Sequence, residues 1–190
     1  THPPPIVVDL GAGNGFHSLH MAMLGARVIS FEPVQDSLEL FVAGARLNDV
    51  LRAEVELTPG GEISVVGNET YVGGVLEKGG ITVVRAAASN EFGVGALALH
   101  SQFPGMASVV KGLKEFGFST KGGNATLVRV DSVLENVIGE KVDESDLLFL
   151  KVETHGYEYQ ALQGVNLTKF PFRYLTFDFC PSMVILAGLE

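Results

Sequence analysis

Cysteine is nearly absent: Cys180 is the only one among 190 residues, so neither a disulfide framework nor a cysteine-based zinc site can be built. Tryptophan is missing altogether. Basic residues are few, 13 Lys and Arg against 22 Asp and Glu, and they are scattered, which leaves a net charge of −9. A nucleic-acid-binding face needs clustered cations to neutralise phosphates, so no nucleic-acid partner is expected. No apolar run approaches the ~18 residues that span a membrane. No secretory leader is visible. The chain starts at Thr1 without Met, as a processed or excised piece would, and His2-Pro3-Pro4-Pro5 reads as linker. Three N-x-[ST] sequons, at Asn68, Asn124 and Asn166, leave a secretory route open beside a cytoplasmic one.

What is present is glycine, 23 residues of it, in a chain whose hydrophobic content of 46% suits one domain, 1–190, with one good core. The strongest local signal is Val7-Val8-Asp9-Leu10-Gly11-Ala12-Gly13-Asn14-Gly15. An apolar strand over 6–8 stops at an acid and three alternating glycines. A helix over 16–24 follows, with apolar residues at Phe16, Leu19, Met23 and Leu24 joined by His20. Glycine belongs where the backbone bends tightly or a ligand meets main-chain atoms. The free N–H groups that open a helix attract electron-rich ligands.

A second strand, 27–31, ends in Glu32-Pro33. Glu32 lies 21 positions after Gly11, where an acid at the end of the second strand can accept hydrogen bonds from a ribose diol. Dinucleotide sites use G-x-G-x-x-G. Here the pattern is G-x-G-x-G, Phe16 stands where the third glycine belongs, and Asp9 precedes the turn. That version looks like the S-adenosylmethionine (SAM) site of class I methyltransferases.

Alternation of strands and helices continues. Residues 34–48 read as a helix with Leu38, Phe41, Val42, Ala45 and Leu47 on its apolar face. Residues 51–80 read as an insertion: a hairpin of 53–57 and 63–66, then a glycine-rich loop. Further strands are expected at 81–86, 93–99, 126–130, 146–153 and 173–179, with short helices over 107–116, from Asp131, and over 157–164. The stretch 146–153 is almost continuously apolar, as a central parallel strand should be. The class is therefore α/β with a mainly parallel sheet, whose ligands bind at the carboxyl ends of the strands. Asp9, Glu32, Asn90, Glu153, His155 and Asp178 all fall at such ends.

With these motifs in hand, the chain resembles the FkbM-type family of SAM-dependent methyltransferases. The family's opening D-[VI]-G-A-N-x-G-[YF]-[YF]-S is similar to Asp9-Leu10-Gly11-Ala12-Gly13-Asn14-Gly15-Phe16-His17-Ser18, and its F-E-P to Phe31-Glu32-Pro33. A-L-S-D-x-x-G resembles Ala87-Ala88-Ser89-Asn90-Glu91-Phe92-Gly93, and x-L-D-S resembles Val130-Asp131-Ser132 followed by Val133-Leu134. K-[IV]-D-[VT]-E-G-x-E resembles Lys151-Val152-Glu153-Thr154-His155-Gly156-Tyr157-Glu158, with Ala161-Leu162-Gln163-Gly164 after it. The five motifs occur in order from about residue 6 to residue 179. Departures are Gly13 for Asn, Asn90 for Asp, Glu153 for Asp and His155 for Glu, together with the 51–80 insertion.

The resemblance implies a Rossmann-like class I methyltransferase sandwich with helices on both faces and a SAM cofactor. It implies that Gly11, Ala12, Gly13, Asn14 and Gly15 hold the methyl donor, with Asp9 anchoring either the turn or the methionine amine. Glu32 and Pro33 take the ribose end, and Ser89 and Asn90 sit by the adenine. The acceptor it implies is a hydroxyl on a small molecule or a sugar or glycolipid. Glu153 and His155 are the candidate bases, and both face one pocket only if the strand runs through 155. His155 has the better intrinsic pKa. Lys151 is a third candidate, or an ion-pair partner of Glu153 or Glu158. No complete metal cluster is seen; His17 and His20, three apart on one helix, lack a supporting acid. The alternatives are a nicotinamide-dependent oxidoreductase and a binding module that keeps the fold without the chemistry. A class I sheet usually closes with an antiparallel pair after its fifth strand. Only 180–190 remain after 173–179, so a sheet without its last strands and with one bare edge is expected. That edge would be exposed, or covered by the 51–80 segment or by another chain.

Overall fold

The computed structural model describes residues 3–66, 79–103, 106–109, 114, 117–119, 122–138 and 143–179. The main sheet starts from β1 (Ile6–Leu10), buried at every position. It is followed by α1 (Phe16–Met23), β2 (Arg27–Phe31) and α2 (Gln35–Leu47). The hairpin expected in the 51–80 stretch is present as β3 (Leu51–Leu57) and β4 (Ile63–Val66); the glycine-rich loop after it lies outside the described residues. Then come β5 (Gly80–Arg85), β6 (Ala87–Ser89), β7 (Gly93–Ala96), β8 (Ala98–His100), β9 (Ala107–Ser108), β10 (Phe118–Ser119) and β11 (Asn124–Arg129). The chain continues through α3 (Val130–Ile138), β12 (Leu147–Val152), α4 (Glu158–Gln163) and β13 (Tyr174–Phe177).

The architecture is α/β: a seven-stranded sheet of order β13-β12-β1-β2-β5-β3-β4, with two three-stranded sheets, β10-β8-β9 and β6-β11-β7, beside it. Every pairing in the large sheet is parallel except that of β3 with β4. Side chains alternate between its faces with the period of two that strands impose. Val7, Val28, Ile81 and Val83 pack with Ala22 of α1 and Leu38, Phe41, Val42 and Ala45 of α2. Ile6, Val8, Leu10, Ile29, Phe31, Leu150 and Val152 pack with Val133, Leu134 and Val137 of α3 and Ala161 of α4. Burial on both faces is why β1, β2, β5 and β12 are largely apolar, broken mainly by Asp9, Ser30, Thr82 and Lys151.

Four sequence expectations need correction. Helix α1 does not bury its largest apolar residues: Phe16 and Leu24 are 71% and 73% exposed, whereas Ser18 and Ala22 are buried. The left-handed Gly15 sets the helix phase, and the Ser18 hydroxyl is drawn inward by polar partners described below. Leu47, at the end of α2, is exposed for want of anything to pack against. The helix expected over 107–116 begins instead as strand β9, paired with β8; 110–113 and 115–116 lie outside the described residues. The 93–99 strand is two strands, β7 and β8, which join different small sheets.

The hairpin is part of the main sheet, because β3 pairs in parallel with β5 and displaces the edge outward. It occupies the edge opposite β13, so it does not cover that strand. Tyr174, Leu175 and Phe177 of β13, the end strand of that sheet among the described residues, are exposed. Residues 180–190, too few for the usual closing pair of strands, lie outside the described residues.

Candidate functional site

The turn after β1 is a run of left-handed glycines. Gly11, Gly13 and Gly15 have φ of 81°, 57° and 83°, values that L side chains rarely adopt. Each glycine has its own reason. A Cβ at Gly11 would overlap the carbonyl oxygen of Glu153, and one at Gly15 would overlap the Phe41 ring, so those positions carry packing. A Cβ at Gly13 would meet nothing within 4 Å; it would project into open space at the cleft wall. The turn is held to β2 by the amides of Gly11 and Ala12, which both donate to the Phe31 carbonyl at 3.0 Å. Asn14 is exposed, and Gly15 and Ala12 are buried.

Glu32 closes this arrangement. Its Oε2 accepts the Gly13 amide at 2.7 Å and its Oε1 the Val34 amide at 2.8 Å, so the acid ties the glycine turn to the end of β2. The side chain is nearly buried. Burial, aided by the charge of Asp9, pushes its pKa up to about 7, although the two amides and Lys151 pull the other way. A carboxylate offers about four lone-pair directions. Two are used here, and the rest remain for a ligand in the cleft that Glu32 lines.

That cleft lies at the carboxyl ends of β1, β2 and β12, where its cavity volume is about 50 Å³. Of the residues singled out from sequence, it brings together Gly11, Gly13, Glu32, Pro33, Glu153 and His155. Ala87, Ala88, Leu97, Ala107 and Val109 form a mainly apolar wall, joined by Ser108, and Thr154 and Tyr157 complete the rim by β12. Ala12, Asn14, Ser89 and Asn90 do not line it. Ser89 is fully buried with its hydroxyl 3.1 Å from that of Tyr157. Asn90 reaches away to Gln163 at 2.9 Å. Sequence reading missed Tyr157, although it lies inside a quoted motif. It also missed most of the wall, whose strands β6 and β9 are only three and two residues long and carry no periodicity to detect.

Asp9 and Lys151 are placed elsewhere. Both stand on one rung of the sheet, with Ser30 across β2 and Thr176 across β13 as register neighbours. Lys151 Nζ is 2.9 Å from Asp9 Oδ1 and 2.9 Å from Glu153 Oε2, and 3.4 Å from the Gly11 carbonyl. Asp9 Oδ2 accepts from the Ser18 hydroxyl at 2.7 Å, and Ser18 meets Ser30 at 2.8 Å. This buried polar network explains the phase of α1. Burial alone would lower the Lys151 pKa, but Asp9 and Glu153 more than reverse it, so the ammonium persists and is no proton acceptor. Glu158, the other partner considered for Lys151, is instead occupied with the backbone of the loop after β12. Asp9, Lys151 and Glu153 also line a second hollow of about 360 Å³ beneath α1, with His17 and Asp178. Glu153 therefore borders both spaces. Its burial penalty is outweighed by Lys151, which holds its pKa below the ordinary value.

His155 comes to the cleft by an unexpected route. Strand β12 ends at Val152, so the strand does not run through 155. A left-handed kink, φ 52° at His155 and 99° at Gly156, sends the chain back so that Glu153 and His155 still line one cleft. Burial lowers the His155 pKa, against the opposing pull of Glu153, Glu158 and Asp178. The imidazole is thus neutral, and able to accept a proton, at neutral pH. Among the described residues no group of three or more His, Cys, Asp or Glu is placed to hold a metal ion, and His17 and His20 are both exposed. No helix among them is long and apolar enough to cross a membrane. No protein-family model, curated protein or solved structure matches the chain.

Proposed function

We propose that the chain is a SAM-dependent methyltransferase of the FkbM type, with a Rossmann-like class I methyltransferase fold. Its reaction is O-methylation of a hydroxyl on a small molecule or on a sugar or glycolipid acceptor. One observation carries the reading: the buried Glu32 carboxylate grips the amide of left-handed Gly13 in a cleft that His155 and Glu153 also line. An acid at the end of the second strand beside a glycine turn suits a nucleoside diol. The open space where a Gly13 Cβ would lie leaves room for a ligand to approach the main chain.

On this reading Glu32 accepts the ribose hydroxyls, the Gly11–Gly15 turn supports the methionine end, and the apolar wall from Ala87 to Val109 faces the base. Asp9 acts behind the turn, since it is buried with Ser18 and Lys151 and does not line the cleft. Bound there, SAM supplies a methyl group on a sulfonium. His155 accepts the proton of the acceptor hydroxyl at its imidazole nitrogen, and the ionised Glu153 steadies the charge that results. The walls place the oxygen in line and exclude water. Calorimetric titration with SAM and S-adenosylhomocysteine, followed by methyl transfer to a panel of hydroxylated acceptors, tests the reading. Binding without transfer to any acceptor would favour a non-catalytic module, and binding of NAD in preference to SAM would favour an oxidoreductase.

A further inference from the structure

The loop that presents His155 is gripped from behind. Glu158, the first residue of α4, is 5% exposed. Its Oε1 accepts the amide of Thr154 at 2.9 Å and its Oε2 the amide of Gly156 at 2.8 Å. One carboxylate thus holds the amides on both sides of His155. His155 itself sits at φ 52°, a conformation costly for a residue with a side chain and kept only where the surroundings impose it. Among the described residues the only other non-glycine with positive φ is Asp49, in the turn after α2.

We propose that Glu158 is a positioning residue whose carboxylate clamps the loop 154–156 and thereby imposes the left-handed kink that turns His155 into the cleft. The role rests on the methyltransferase reading only in treating His155 as a base; the clamp is a property of the chain itself. An ordinary start to α4 does not account for it, because the amides held belong to the loop before the helix. The carboxylate geometry matters as well as the charge. A glutamine has one acceptor oxygen, so its NH₂ would oppose one of the two amides. The charged groups acting on the imidazole are Glu153 and Lys151 of the β12 end, Glu158 of α4 and Asp178 beyond β13.

The test compares Glu158→Gln, His155→Gly and the double variant in the full 190-residue chain, by amide hydrogen exchange and by NMR titration of His155. In Glu158→Gln, exchange at Thr154 and Gly156 should rise roughly ten- to a hundredfold, with β2 and β5 unaffected. The His155 titration should move to lower pH, because a nearby negative charge is gone. Glycine adopts this φ freely, so adding His155→Gly should shrink the exchange effect. If Glu158→Gln alone does not fold, the double variant should fold. Unchanged exchange at the two amides would overturn the proposal. So would an equal rise throughout α4 and β12, an unmoved His155 titration, or a double variant no different from the single one. None of these readouts needs a cofactor. A wild-type chain that ignored SAM would sink the methyltransferase reading and leave the clamp standing, and a failed clamp would leave cofactor binding untouched.

Discussion

Glu32→Gln removes the charge from the acid that the functional reading places against the ribose, and the unsubstituted protein makes the same change by itself as pH falls. Its carboxyl titrates near 7 because it is buried. If only the carboxylate form binds the diol, the apparent dissociation constant scales inversely with the ionised fraction, about 3% at pH ~5.5 and nearly all at pH ~8.5. Affinity should therefore fall by roughly thirtyfold, about 2 kcal/mol, across that window. Adenosine is the better probe beside S-adenosylhomocysteine, since it carries the diol without the amino acid's own titrating groups. His155 also lines the cleft, with its pKa lowered by burial, so the same titration in His155→Ala isolates the part that belongs to Glu32. Glu32→Gln should bind both ligands roughly 10- to 150-fold more weakly at pH ~8.5, the range for hydrogen bonds to a charged group, and should lose the pH dependence. The same acid sets a stability trend. Its folded pKa lies above the unfolded value, so the stability associated with it is full at low pH and declines as pH rises toward 7. Relative to Glu32→Gln, the ligand-free wild type should lose up to about 3 kcal/mol between pH ~5 and pH ~8. A wild-type affinity that is flat with pH and equal to that of a folded Glu32→Gln would refute the ribose assignment.

Other outcomes follow from the same geometry. Gly11→Ala should destabilise the chain, since its Cβ would strike the Glu153 carbonyl, whereas Gly13→Ala should fold with a strain of about 1–2 kcal/mol and weaken SAM binding; thermal melts with calorimetry separate the two. Lys151→Met leaves Asp9 buried without its cation and should cost about 3–5 kcal/mol in chemical denaturation. His155→Ala should lower turnover about 10²–10⁴-fold with little change in SAM affinity, and should remove the acid limb of the pH–rate profile. That limb should lie below the ordinary histidine value, because burial disfavours the imidazolium.

Much of the fold was legible because its central strands are apolar on both faces and its turns are marked by glycine. β1, β2, β5 and β12 announced themselves in this way, and Glu32 was found by its distance from Gly11. The phase of α1 was not legible, because hydrophobic periodicity points Phe16 and Leu24 inward while a serine hydroxyl bound to Asp9 takes that place. The Asp9–Lys151 pair was hidden for a related reason: the residues are 142 apart, and only the pairing register of β1 with β12 sets them on one rung. The route of His155 into the cleft depends on one backbone angle that a histidine rarely adopts. Its cause, two amides caught by Glu158, is a contact no spacing rule encodes. Most of the apolar wall escaped because strands of two or three residues leave no pattern.

The central claim is that the cleft between the glycine turn and His155 binds SAM. The most direct measurement is equilibrium titration of the wild-type chain at pH ~8.5, where Glu32 is ionised, with S-adenosylhomocysteine in one cell and NAD in another. The account predicts saturable one-to-one binding of S-adenosylhomocysteine and none of NAD. Saturable binding of NAD alone, or no binding of S-adenosylhomocysteine up to about 1 mM, would contradict it.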